Sequence, residues 1–149
     1  MIVEGITVKL FQGGTMPTQA QDINGMLIGG WIDVFSNADL DIKEGSHTLI
    51  PLGFAAELPV GYEAVLAARS SLFGKTGLIV ANGIGVIDNS YCGDNDEWKL
   101  SVFATRDTHI TRGQKIAQFR IQKTQPFIMW HQVESLENPD RDGFGSTGE

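Results

Sequence analysis

Short runs of alternating apolar and polar residues, rather than helical three-and-four spacing, run through this chain. In Ile6-Thr7-Val8-Lys9-Leu10 the apolar side chains fall on one face of an extended backbone, and Trp98, Leu100, Val102 and Ala104 do the same across residues 98–105. Residues 115–122 and 126–133 predict two further strands, parted by Lys123-Thr124-Gln125. Residues 48–55 and 63–68 predict strands on either side of the turn Pro59-Val60-Gly61. Glycine separates these runs, at Gly25, Gly45, Gly53, Gly61, Gly77, Gly93 and Gly113, as expected for many strands joined by turns.

Only residues 69–75 read as helical, with Ser70 or Ser71 as cap and Gly74 or Gly77 as stop. The expected fold class is therefore all-β: a sandwich, jelly roll or barrel with one short helix. From Glu134 the strand period is lost, which divides the chain into a β core over 1–133 and a C-terminal arm over 134–149. That arm carries Arg141, Phe144, Ser146, Thr147 and three glycines close together. Its composition suits either a solvated terminus or a tail that folds over a ligand, the ring stacking and the hydroxyls meeting phosphate oxygens.

Composition narrows the classes. The 149 residues suit one domain, and 42% hydrophobic with 19% charged residues is enough for a core. The 18 glycines exceed the usual share of about 7%. A formal net charge of −7 argues against nucleic acid or an anionic membrane as partner, since both need clustered Lys and Arg. No apolar run approaches the roughly 20 residues of a spanning helix, and the N-terminus shows no signal pattern, so a cytoplasmic protein is expected. Cys92 is the one cysteine, which excludes a disulfide framework within the chain and a cysteine-built zinc site.

Three stretches could carry chemistry. Arg69-Ser70-Ser71 places a cation and two hydroxyls at the start of the helical segment, which fits an anion site or an ordinary cap. The stretch from Asn82 to Gly93 predicts a tight hairpin with Asp88 on its edge, placed to take a proton from water. Asn82 offers a donor and an acceptor to a pyrimidine edge, and Tyr91 could pack under a sugar and exclude a 2′-hydroxyl. The equal alternative is a turn in which Asp88 and Asn89 bond their own backbone. Gln118, between core residues of a strand, faces solvent or a ligand. His47, His109 and His131 match no metal spacing, and Glu4, Asp39, Asp41, Glu44, Asp94, Asp96 and Glu97 read as a solvated acidic face.

In order along the chain, five stretches resemble the motifs of the trimeric dUTP diphosphatase (dUTPase) family. They are Gly30-Trp31-Ile32-Asp33-Val34-Phe35-Ser36, Ala68-Arg69-Ser70-Ser71-Leu72, residues 82–93 with Gly85-Val86-Ile87-Asp88 and Tyr91, Gly113-Gln114-Lys115-Ile116-Ala117-Gln118, and residues 141–148. Trp31, Ala68 and Lys115 depart from the usual residues, the Arg141–Phe144 spacing is short, and a rival phase of the first motif would replace Asp33 with Asp39.

The resemblance implies a distorted jelly roll, a homotrimer with active sites shared between subunits, and Mg²⁺-dependent hydrolysis of dUTP to dUMP and diphosphate. By that likeness Asp88 activates the attacking water. Asn82 and the backbone of Gly85, Val86 and Ile87 read uracil, and Tyr91 screens the deoxyribose. Arg69, Ser70, Ser71 and Gln118 hold the phosphates. Phe144 and Gly145 close over the base, while Arg141, Ser146 and Thr147 clasp the outer phosphates. Asp33 supports the metal region without binding Mg²⁺ directly, the ion being carried by phosphate and water. Two alternatives stand beside this expectation: a dCTP deaminase-like enzyme, and a nucleotide-responsive regulatory binding protein using the acidic stretch 94–98 as its surface.

Overall fold

Every strand pairing in the computed structural model, which describes residues 4–145, is antiparallel. Strands β1 (Thr7–Leu10), β2 (Thr18–Gln21), β3 (Leu27–Phe35), β4 (Leu40–Ile42), β5 (His47–Pro51), β6 (Phe54–Glu57) and β7 (Tyr62–Ala68) precede the helix α1 (Leu72–Thr76). β8 (Leu78–Val80), β9 (Gly85–Ile87), β10 (Lys99–Ala104), β11 (Thr108–Ile110) and β12 (Lys115–Lys123) follow it. A five-stranded sheet in the order β2-β3-β12-β7-β9 packs against a three-stranded sheet β5-β10-β8, flanked by the pairs β1-β6 and β4-β11. The expected all-β class with one short helix is what the chain adopts.

The core follows the alternation in the sequence. Trp98, Leu100, Val102 and Ala104 are fully buried, and their odd-numbered neighbours Lys99 and Phe103 face outward. Trp98 is the hub, with its ring centroid 4.9 Å from both Phe54 and Phe119. Three aromatic rings from three parts of the chain thus join the two sheets, each ring contributing area burial plus edge or offset attraction. The burial of Trp98 also removes the exposed aromatic expected in the acidic stretch 94–98.

Two strand expectations fail for identifiable reasons. Residues 48–55 form no single strand: β5 ends at Pro51 and β6 begins at Phe54 in a different pairing. Between them Gly53 adopts φ +78°, and a Cβ there would stand 2.8 Å from Gly14 Cα, so only glycine permits the crossing. Residues 126–133 have a strand pattern but no strand partner among the described residues. Phe127 and Trp130 are 92% and 89% exposed. Among the described residues, the last hydrogen bond to the β body falls before this segment, from Thr124 N–H to Gly61 O.

The helix is shorter than predicted. Ser71 stands at its N-cap position with no side-chain capping bond, and Gly77 ends it in the left-handed region at φ 70°. At five residues it has little dipole to offer, so any anion attraction here comes from side-chain charge.

Candidate active site

The five-stranded sheet distributes the expected site residues between the two ends of β7. β12 lies between β3 and β7, pairing Gln118 with Asp33 on one side and with Ala67 on the other. Arg69 follows β7 directly. Asp33, on β3, therefore faces cations from two directions: Arg69 Nε lies 3.4 Å from its Oδ1 and Lys115 Nζ 3.0 Å from its Oδ2. One carboxylate against two cations leaves a net positive cluster. Gln118 donates from Nε2 to Ala68 O at 3.1 Å, which fixes its amide at the same end. Ser70 is exposed and Ser71 half-buried, both adjoining Arg69.

Asp39, the rival first-motif residue, is elsewhere, accepting from the Arg112 main-chain N–H at 2.9 Å.

The third-motif stretch folds as turn, strand and turn rather than as a hairpin of its own. β9 pairs with β7, with Leu66 opposite Gly85, Val65 opposite Val86 and Ala64 opposite Ile87. A Cβ at Gly85 would sit tightly against Leu66 Cβ, at 3.1 Å, so glycine lets the two strands approach closely here. Antiparallel register places Asp88 beside Glu63, six residues before Arg69. At about 3.3 Å per residue that separates the two by about 20 Å along β7. Asn82, in the turn before β9, lies at the other end of that strand from Asp88.

Asp88 and Tyr91 share an open groove of about 370 Å³ with Val86, Ile87, Ser90, Glu97 and Lys99. Asp88 Oδ1 accepts from both the main-chain N–H (2.6 Å) and the hydroxyl of Ser90. The Ser90 hydroxyl first, and then its N–H, hold the Asp88 carboxyl below its ordinary 3.8, so it is ionised at neutral pH. The Tyr91 hydroxyl donates to Glu97 O at 2.9 Å. Partial burial, followed by the charges of Asp96 and Glu97, raises its pKa and keeps it a neutral phenol.

The structure brings Arg141, Phe144 and Gly145 to neither end; all three are exposed, beyond the last strand. Ser146 and Thr147 lie outside the described residues.

Sequence reasoning missed Lys115 and Ser90 as contributors. It also misread part of the acidic face: Asp96 accepts from Gly93 N–H at 2.8 Å and Glu97 from Gly53 N–H at 3.0 Å, so both shape the chain locally. His109 Nδ1 lies 2.8 Å from Asp41, and His47 Nε2 lies 2.7 Å from Ser101 Oγ. Among the described residues no group of three or more His, Cys, Asp or Glu could hold a metal, and no helix is long and apolar enough to cross a membrane.

Comparison with known proteins gives this geometry a family. The dUTPase family profile matches residues 31–148. The SPbeta prophage-derived deoxyuridine 5′-triphosphate nucleotidohydrolase YosS of Bacillus subtilis (strain 168) is 49% identical over 126 residues, covering 85% of this chain and 89% of that protein. A deoxyuridine 5′-triphosphate nucleotidohydrolase of Rickettsia bellii is 36% identical over 152 residues, covering 99% of this chain and 98% of its own. Among solved structures, the dUTPase of Staphylococcus bacteriophage 80alpha with dUPNHPP superposes with a TM-score of 0.79 at 21% identity, over 99% of this chain and 100% of that one. A D95N mutant dUTPase from phage phi11 of S. aureus, described with a structural Mg(II) ion, gives 0.73 at 20% identity, over 90% and 99%. The fold is thus the dUTPase jelly roll, and the chain belongs to the dUTPase family.

Proposed function

We propose that this chain hydrolyses dUTP to dUMP and diphosphate as a homotrimer with active sites between subunits. The observation that carries this reading is the separation of Asp88 from Arg69 along β7. One nucleotide cannot have its α-phosphorus beside Asp88 and its phosphate chain on Arg69 of the same chain when they stand about 20 Å apart along a strand. Two chains, one presenting its Asp88 end and the next its Arg69 end, complete a site that neither has alone. The unpaired, exposed strand-like segment 126–133 supports assembly, because such a segment gains both hydrogen bonds and apolar burial against another copy.

Within that site each group has a role. Asn82 and the main chain of Gly85, Val86 and Ile87 meet the uracil edge, and Tyr91 packs under the deoxyribose where a 2′-hydroxyl would collide. Arg69, Ser70, Ser71 and Gln118 of the next chain receive the phosphates, with Asp33 and Lys115 behind them. A water beside Asp88 gives its proton to the carboxylate while its oxygen bonds to the α-phosphorus. The bond from that phosphorus to the bridging oxygen breaks, and diphosphate leaves with the electron pair. Arg141, Phe144 and Gly145, with Ser146 and Thr147, close over the nucleotide and exclude bulk water.

The donor set fits Mg²⁺ carried by substrate. No three-ligand cage exists among the described residues, and Asp33 is already engaged by two cations, so phosphate oxygens and water would hold the ion. When bound, Mg²⁺ supplies charge neutralisation on the phosphates. A cytoplasmic setting, where deoxynucleotide pools turn over, suits the free Cys92.

The test is a panel of deoxynucleoside triphosphates with Mg²⁺, read for both diphosphate and ammonia. Diphosphate from dUTP alone is expected. Ammonia from dCTP would establish a deaminase instead.

A further inference from the structure

We propose that Ser90 is a positioning residue for the reaction. It ties down one oxygen of Asp88 and leaves Oδ2 as the acceptor for the proton of the attacking water. The inference rests on the reading of Asp88 as the base.

The argument starts from the exposure of Asp88. Within its own chain the carboxylate sits exposed on a surface turn at the edge of an open groove, so burial in that chain does not choose its rotamer. Both hydrogen bonds to its side chain among the described residues come from Ser90, and both end on Oδ1. Two donors of one residue meeting on one oxygen hold that oxygen in place and restrict the carboxylate's rotation. An ionised carboxylate has lone pairs on both oxygens, so saturating Oδ1 leaves Oδ2 to accept from water.

The neighbours do not replace this function. The Tyr91 hydroxyl is committed to Glu97 O. Glu97 and Lys99, which line the same groove, bear opposite charges, and the Glu97 carboxylate is engaged by Gly53 N–H. Glu63, one step beyond the Ala64–Ile87 pair in register, makes no hydrogen bond to Asp88 among the described residues. The Asp96 carboxylate bonds Gly93 N–H. Ser90 is therefore the group that both orients the base and favours its charged form.

The experiment compares Ser90→Ala and Ser90→Thr with the unaltered trimer, measuring kcat and KM for dUTP across the acid and neutral range. Ser90 is exposed, so neither change disturbs the core. In Ser90→Ala, kcat falls about tenfold with KM within about twofold, as for a bond to a charged group that serves the chemical step. The acid limb of the rate profile moves to higher pH, because losing a donor raises the Asp88 pKa. Ser90→Thr, which keeps the hydroxyl, restores both. An unshifted acid limb with kcat near normal in Ser90→Ala overturns the proposal. Asp88→Asn, assayed alongside, separates the two failures: an inactive Asp88→Asn with a normal Ser90→Ala removes the role of Ser90 alone, whereas an active Asp88→Asn removes the base itself.

Discussion

Lys115 Nζ lies 3.0 Å from Asp33 Oδ2, joining the first residue of β12 to the C-terminal part of β3. Arg69 approaches the other oxygen at 3.4 Å, so a single half-buried carboxylate sets the positions of two cations. Both cations remain partly open to solvent, which screens these pairs, and the consequence is expected in the placement of the guanidinium.

Asp33→Asn sets two effects against each other. Removing the anion strengthens the attraction for phosphate, while releasing Arg69 degrades its geometry. Attraction acts on ground state and transition state alike, whereas geometry governs the chemical step, so geometry decides the rate. The expected result is a kcat reduced about tenfold with KM changed less than about threefold. Steady-state kinetics on dUTP check this, and an unchanged kcat would free Asp33 of any part in positioning.

Gly53→Ala should destabilise the fold through backbone strain and collision together. The residue sits at φ +78°, and the new Cβ would meet Gly14 Cα at 2.8 Å and Asn37 Cβ at 3.0 Å. Gly113→Ala is the control, because φ is +85° there but the space around it is open. Thermal unfolding should show a loss of about 1–2 kcal/mol for Gly113→Ala, the left-handed penalty alone. A larger loss is expected for Gly53→Ala, and equal losses would mean that the crossing at Gly53 relaxes without cost.

Much of the fold was legible in the alternation of the chain. β10 and β12 lie where the apolar period placed them, and the fully buried positions of β10 were readable directly. The break at Gly53 was not, because it depends on Gly14 and Asn37, which are remote in sequence. Residues 126–133 carry a strand pattern that pairs with no strand among the described residues, and pattern alone does not say what supplies the other edge. At the site, the motif residues were legible as types, but their separation along β7 is a matter of register. Lys115 was passed over because it reads as the polar start of a strand until β3 is set beside it. Ser90 was passed over because a serine after an aspartate is an ordinary turn residue until its two bonds to Asp88 are seen.

Ending the chain at Asn138 removes the exposed Arg141, Phe144 and Gly145 together with residues 146–149. The shortened protein should fold and assemble normally, with thermal unfolding within about 0.5 kcal/mol of the full chain. Turnover of dUTP should fall by about a hundredfold or more, the size of effect that loss of a closing segment and its charge can produce. Normal turnover would show the arm to be dispensable.

The most direct measurement mixes two inactive proteins. Asp88→Asn chains and Arg69→Ala chains are each expected to be inactive alone, as every site in either trimer lacks one half. Unfolded together and reassembled at equal amounts, they should regain activity, with about a quarter of the sites combining an intact Asp88 from one chain and an intact Arg69 from its neighbour. Activity recovered on mixing is the result the account predicts; mixed trimers that stay as inactive as their parents would contradict it.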